Sequence, residues 1–212
     1  RVGGASGLLG RLANPDTRAR VRQELEAIHS TGDTLKHRWE DTLIADSDSR
    51  PELVGMNLLE ISKREGIAPA EVVMRLVESD QLKTVCISFL QQEPDLQRFM
   101  EHPRMIVGSD GIFMGRPGAM VKGKPHPRYF GTFPRVLGRY SREEGIVNMA
   151  QAIHKMTGLT AQAMGMKERG WVKQGLVADL VLLDPAAIMD TATFTEPYQR
   201  PIGIHTVWVN GE

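Results

Sequence analysis

A stretch near the middle of the chain constrains the fold more than any other part of the sequence. Residues 84–89 are apolar and β-branched, residues 94–101 follow a helical pattern behind a proline, and residues 105–107 are apolar again. This order of strand, helix and strand predicts a βαβ unit, whose two strands lie parallel in one sheet. Functional side chains gather where such strands end. We therefore expect Asp110, three residues beyond the second strand, to lie at a functional edge.

The rest of the chain predicts helices with a few short strands, an α/β pattern. A helix begins at Asn14-Pro15-Asp16, since Asn is a favoured N-cap and Pro suits the first helical position. Residues 112–132, rich in Gly, Pro, Lys and Arg, predict a long loop. The other predicted elements are helices over residues 57–66, from 69 onward, over 142–156 and 160–164, and strands over 42–45, 178–184 and 205–209.

Composition excludes several classes of function. Lys+Arg and Asp+Glu both number 26, so no net field attracts nucleic acid or an anionic membrane surface. No apolar run approaches the roughly 20 residues that span a bilayer. The single cysteine, Cys86, excludes an internal disulfide framework. We expect a cytoplasmic protein without nucleic-acid or membrane partners, whose oligomeric state the sequence leaves open.

Three side chains are candidates for chemistry. Asp110 would be costly at the end of a buried strand unless it is paired or bound to a metal, although a cap of the Ser-Asp-Gly turn is an equal alternative. The planar guanidinium of Arg128 suits a carboxylate, but a lone loop arginine is more often solvated. His126 could hydrogen-bond a substrate or pin the loop. The six histidines include no H-x-H or H-E-x-x-H spacing, so they do not indicate a zinc site.

Several runs together carry a family resemblance. They are Gly-Ser-Asp-Gly at residues 108–111, His-Pro-Arg at 126–128, Gly-Thr-Phe-Pro-Arg-Val-Leu-Gly at 131–138, Lys-Met-Thr at 155–157 and Gly-Leu-Val-Ala-Asp-Leu-Val at 175–181. The sequence resembles the D-aminoacylase (N-acyl-D-amino-acid deacylase) branch of the amidohydrolase superfamily. The combination is specific, whereas any single run would not be.

The resemblance implies an α/β fold, a (β/α)8 TIM barrel with a small β-sandwich built from both chain ends. The family's zinc ligands include an H-x-H pair, a cysteine and histidines after middle strands, and none of those motifs occurs here. A complete barrel takes roughly 250 residues. We therefore expect an incomplete chain, with the later part of the barrel over residues 1–168 and part of the sandwich over residues 169–212.

The resemblance also implies a reaction, hydrolysis of an N-acyl-D-amino acid to a D-amino acid and a carboxylate by zinc-activated water. Asp110 matches the aspartate that moves the proton and is at most a weak or secondary metal ligand. Arg128 matches the arginine that binds the α-carboxylate of the small-molecule substrate. Ser109 and His126 are expected to support these two groups.

Two alternatives stay open. The chain could be a catalytically silent, truncated product that lacks the metal site, and the missing His and Cys ligands favour this for the polypeptide as it stands. It could also be a relative that acts on other amides, such as a cyclic amidohydrolase of the dihydroorotase or hydantoinase kind. The His-Pro-Arg and Gly-Thr-Phe-Pro-Arg runs favour the deacylase over that second alternative.

Overall fold

A computed structural model describes residues 3–30, 38–112 and 122–212, and over these ranges the chain is an α/β protein. A π-helix spans Val136–Glu143, and short 3-10 turns span Trp39–Asp41 and Pro51–Leu53. The helices are α1 (Gly4–Leu12), α2 (Pro15–Ser30), α3 (Leu58–Glu65), α4 (Pro69–Ser79), α5 (Glu93–Glu101), α6 (Arg128–Arg135), α7 (Met149–Met156) and α8 (Gly158–Ala163), and the strands are β1 (Thr42–Asp46), β2 (Val85–Ser88), β3 (Leu180–Leu183) and β4 (Ile204–Trp208).

The described residues fall into two compact units. Those of the first unit lie within Arg1–Leu90 and Gly118–His126, and those of the second lie within Gln91–Pro117 and Pro127–Glu212. The predicted division at residue 168 stays a prediction.

The first unit packs an antiparallel pair, β1 with β2, beside helices α3 and α4. The Asn57 side chain accepts the backbone N–H of Glu60, and the Glu60 side chain accepts that of Asn57, a reciprocal cap that starts α3. Gly66 ends the helix in the left-handed conformation that glycine adopts readily. These caps confirm the predicted helix over 57–66. The buried core of the unit is Ile44, Leu53, Leu58, Ile61, Val72 and Leu76.

The predicted parallel βαβ unit is wrong. β2 pairs antiparallel with β1, and residues 105–107 form no strand. The backbone N–H of Val107 instead donates to the carbonyl of Lys155, 3.5 Å away, at the end of α7. Met105 and Val107 pack against the core of the second unit, which explains their apolar character without a sheet. Local apolar pattern does not specify a strand's hydrogen-bonding partner, so it could not separate these two outcomes.

Two further predictions in the second unit are corrected. The predicted loop over residues 112–132, of which residues 113–121 lie outside the described ranges, ends early because α6 begins at Arg128. The predicted helix over 142–156 is interrupted, since the π-helix ends at Glu143 and Gly145 adopts a positive φ of 65°. Asn148 then accepts the backbone N–H of Gln151 at 2.9 Å and starts α7 afresh. The buried core comprises Met100, Val136, Leu137, Tyr140, Val147, Ala152 and Ile188.

The two predicted C-terminal strands are confirmed, and their ends lie within two residues of the predicted positions. β3 and β4 form an antiparallel pair in which Val181 lies opposite Val207. Arg169 forms an ion pair with Asp179, just before β3, and donates at 2.9 Å to the side chain of Asn210, just after β4, so it links the two strands at one end of the pair. Among the described residues, no helix combines the length and apolarity needed to cross a membrane.

A buried carboxylate, Asp80, organises the loop after β1. Its side chain is 3% exposed and accepts the Ser49 backbone N–H at 2.7 Å and the Thr84 hydroxyl at 2.5 Å. Burial raises the pKa of the Asp80 carboxyl, but hydrogen bonds from Ser47, Ser49 and Thr84 outweigh that effect and hold the pKa below its usual range. The ionised form is therefore part of the folded state.

We expect Asp80→Asn to lower the free energy of unfolding by about 1–3 kcal/mol near neutral pH, because the amide replaces an anionic acceptor with a weaker one. A carboxyl whose pKa is depressed by folding stabilises the protein above its unfolded pKa, 3.8 for Asp80, and loses that contribution as the pH falls towards the folded pKa. The difference in free energy of unfolding between the native protein and the variant, measured by urea unfolding, should therefore become smaller below about pH 4. Glu26→Gln, at an exposed position of α2, is the control. A pH-independent difference would contradict the assignment.

Candidate functional site

Asp110 lies in a tight turn rather than at the end of a strand. Its backbone φ is 49°, in the left-handed region that Asp tolerates better than most residues. The Ser109 hydroxyl accepts the backbone N–H of Gly111 at 3.1 Å and closes the turn. The Asp110 side chain is 83% exposed. The turn therefore presents a carboxylate to solvent, where it can meet a soluble ligand.

Arg128 lies beside this carboxylate. It is the first residue of α6, and its Nη2 is 2.8 Å from Oδ2 of Asp110. Its side chain is 38% exposed, so the pair is open to solvent on one side. Two residues that sequence reasoning named separately are thus in direct contact across 18 positions of the chain.

Tyr129 fixes how the turn meets α6, and sequence reasoning missed it. A Cβ on Gly111 would lie 3.3 Å from Cα of Tyr129 and 3.2 Å from Oγ of Ser109, so a larger residue would require these neighbours to shift by a few tenths of an ångström. The Arg128 guanidinium carbon lies 5.8 Å from the centroid of the Tyr129 ring. The Tyr that follows His-Pro-Arg was the available signal, since an aromatic ring beside a loop arginine is a common way to orient it.

Ser109 and His126 have different positions. The Ser109 hydroxyl is engaged in the turn, so it supports the backbone on both sides of Asp110. His126 belongs to the first unit, whereas Ser109, Asp110 and Arg128 belong to the second. The supporting role of His126 stays a prediction.

A zinc site is not formed by the described residues on their own. Within residues 3–30, 38–112 and 122–212, no three His, Cys, Asp or Glu side chains are grouped so that they could hold a metal ion. Zinc needs several convergent ligands, and Asp110 offers one carboxylate. Any zinc ion would take its remaining ligands from outside these residues.

A shallow cleft in the first unit is the rival candidate. It has a volume of about 370 Å³, and its charged lining residues are Asp46, Asp48, Lys122 and Lys124. Lys122 forms an ion pair with Asp48, and the backbone N–H of Lys124 donates to the carbonyl of Ala45 at 2.6 Å. The two acids and two bases balance each other, and none of the described residues that line the cleft carries an imidazole or a thiol. It offers less chemistry than the turn at Asp110.

The Asp110–Arg128 pair can perform two tasks. An exposed carboxylate can accept a proton and return it, the work of a general base and acid. A guanidinium can bind a carboxylate through two parallel N–H···O bonds, which fixes the orientation of the ligand. The two groups together suit a substrate that carries both an anionic group and a bond to be hydrolysed.

Comparison with known proteins points the same way. Residues 60–212 match the family model described as the amidohydrolase family. The chain is 43% identical over 161 residues to a D-aminoacylase of Alcaligenes xylosoxydans xylosoxydans, covering 76% of this chain and 31% of that protein. It is 42% identical over 170 residues to an N-acyl-D-aspartate deacylase of the same organism, covering 80% and 32%.

Solved structures of deacylases are also similar to this chain. The crystal structure of a D-aminoacylase has a TM-score of 0.69 and 44% identity, covering 80% of this chain and 33% of that one. An N-acyl-D-glutamate deacylase from Bordetella bronchiseptica, complexed with zinc and a phosphonate inhibitor that mimics the tetrahedral intermediate, has a TM-score of 0.71 and 37% identity, covering 81% and 34%. The chain spans about a third of the length of these relatives.

We expect Asp110→Asn to change the free energy of unfolding by less than about 1 kcal/mol, because exposed ion pairs contribute little to stability. Asp80→Asn makes the same chemical change at a buried site and serves as the comparison. Urea unfolding of both variants at neutral pH measures the difference. A loss at Asp110 as large as that at Asp80 would make Asp110 a structural residue.

Proposed function

The chain belongs to the amidohydrolase family, and we propose that it supplies the proton-moving and carboxylate-binding residues of an N-acyl-D-amino-acid deacylase. The reaction would be hydrolysis of the linear amide bond, which gives a D-amino acid and a free carboxylate. The contact between Asp110 and Arg128, at 2.8 Å, is the observation that carries this proposal. Deacylase activity of the relatives named above supports the choice of reaction.

The proposed fold is the later part of a (β/α)8 barrel followed by part of a small β-sandwich. The structural likeness to the two deacylases supports it. The antiparallel pair of β3 and β4 would belong to the sandwich, and the segment that leads to Asp110 would belong to the barrel. The proposed boundary lies at residue 168.

Arg128 would bind the α-carboxylate of the substrate. Its position at the start of α6 fixes its Cα on a helix, so only the side chain needs to be ordered when the ligand binds. A charge-assisted bond to the guanidinium would hold the scissile amide at a fixed distance from Asp110. Ser109 would support the turn, and a supporting role for His126 stays a prediction.

Asp110 would take a proton from the attacking water and deliver it to the departing nitrogen. Its exposure leaves room for both molecules, and Arg128 lies beside it to bind the anionic end of the substrate. We propose zinc as the cofactor, since one solved relative contains it. When bound, zinc lowers the pKa of its coordinated water to near 7.

We expect Asp110→Asn, in the purified enzyme that carries this sequence, to lower kcat for an N-acyl-D-amino acid by a factor of about 10²–10⁴, because the amide cannot accept a proton. KM should change little, since Arg128 is intact. Asp95→Asn, at an exposed position in the first turn of α5, is the control and should keep normal turnover.

The outcomes separate the alternatives. Normal turnover by Asp110→Asn would remove this residue from its proposed role. Absence of turnover in the unsubstituted enzyme, for several N-acyl-D-amino acids in the presence of zinc, would favour the silent alternative instead.

A further inference from the structure

A buried lysine lies behind the segment that leads to Asp110. Lys155, in the last turn of α7, is only 6% exposed. Its Nζ donates to the carbonyl of His102 at 2.5 Å and lies 3.4 Å from the carbonyl of Met105. Its own carbonyl accepts the hydroxyl of Thr160 at 2.7 Å and the backbone N–H of Val107 at 3.5 Å. One residue therefore contacts the segment 102–107 through both its side chain and its backbone.

The position of the amine has an electrostatic cause. Helix α5 ends at Glu101, and His102 is its C-cap. The carbonyl of His102 accepts the backbone N–H of Met105 at 3.1 Å as well, and a cation near the C-terminal end of a helix is stabilised by the helix dipole. Lys155 supplies that cation from a neighbouring helix.

Burial of this cation is costly. Desolvation lowers the pKa of the Lys155 amine, which means that the surroundings disfavour its charge. An apolar side chain of the same length would fill the space without that cost. Hydrogen bonds to the carbonyls of His102 and Met105 offset the cost of burying the amine. The same hydrogen bonds hold these two carbonyls in place.

The segment needs such a constraint because no sheet provides one. Residues 105–107 form no strand, so no ladder of backbone hydrogen bonds holds them. Asp110 follows Val107 by three residues, and its carboxylate must remain within reach of Arg128 on α6. A shift of this segment would move Asp110 relative to Arg128.

We propose that Lys155 is a positioning residue that fixes Asp110 opposite Arg128 through the segment 102–107. The structural part of this inference depends only on the contacts above. The catalytic part rests on the proposed function.

The test is Lys155→Met, which keeps the length of the side chain and removes its donors. Residue-resolved amide hydrogen exchange under native conditions should be about tenfold faster at Met105 and Val107, because lost hydrogen bonds make local opening easier. In the enzyme, kcat should fall by about tenfold to hundredfold, since misplacement of a reacting group is costly. The change in KM should be smaller than the change in kcat.

Two controls separate positioning from loss of stability. Val72→Ala opens a cavity in the core of the first unit, against which neither Met105 nor Val107 packs, and it should lower the melting temperature without changing kcat. Lys173→Met removes an exposed amine and should change neither quantity. Lys155→Gln retains an N–H donor, so its exchange rates and its kcat should lie between those of the native protein and those of Lys155→Met. It replaces Lys155→Met in the test if that variant does not fold.

Unchanged exchange at Met105 and Val107 in the Lys155 variants would overturn the proposal. So would an equal loss of kcat in Val72→Ala at matched stability. If the unsubstituted enzyme lacks deacylase activity, the proposed function fails, and the exchange measurement still decides whether Lys155 holds the segment.

Discussion

The ion pair between Asp110 and Arg128 is the interaction on which the site depends. Opposite unit charges about 4 Å apart attract by about 4 kcal/mol near a protein surface and by about 1 kcal/mol in water. Asp110 is largely solvated, so the attraction adds little to stability. Backbone geometry instead brings the charges together. The left-handed turn at Asp110 lies against Tyr129, and Arg128 begins the helix that Tyr129 continues.

Two buried ionic groups stabilise segments of the backbone that lie outside helices and strands. In the first unit, Asp80 accepts hydrogen bonds from the loop after β1 and from Thr84, just before β2. In the second unit, Lys155 donates to carbonyls between α5 and the turn at Asp110. Each group is costly to bury, and each satisfies polar backbone or side-chain atoms in a segment without a sheet ladder. Charge is therefore buried where it organises loops and exposed where it can meet a ligand.

The parts of the fold that sequence predicts are those set by local chemistry. The start of α2 follows from Asn14 and Pro15, and α3 follows from the Asn57 cap and Gly66. The same reasoning missed α6, because Pro134 disfavours a helix that tertiary packing nevertheless forms.

The strand predicted at residues 105–107 failed for a related reason. Its apolar residues pack on a helical core, and only long-range contacts reveal that. The sequence predicts Asp110 and Arg128 as site residues because both match motifs of the family. It does not predict the contact between them, because that contact forms only when the turn at Asp110 folds against α6. Lys155 belonged to a run used only for resemblance, since burial of a lysine has no local sequence signal.

We propose that Arg128 binds the α-carboxylate of a substrate whose amide bond is cleaved beside Asp110. The most direct measurement compares kcat/KM for an N-acyl-D-amino acid with kcat/KM for its α-carboxamide, in the unsubstituted enzyme and in Arg128→Gln. We expect the unsubstituted enzyme to prefer the carboxylate by about 10²-fold or more, since a charge-assisted bond is lost with the carboxamide. Arg128→Gln should abolish most of that preference. A preference that survives the substitution unchanged would contradict the claim.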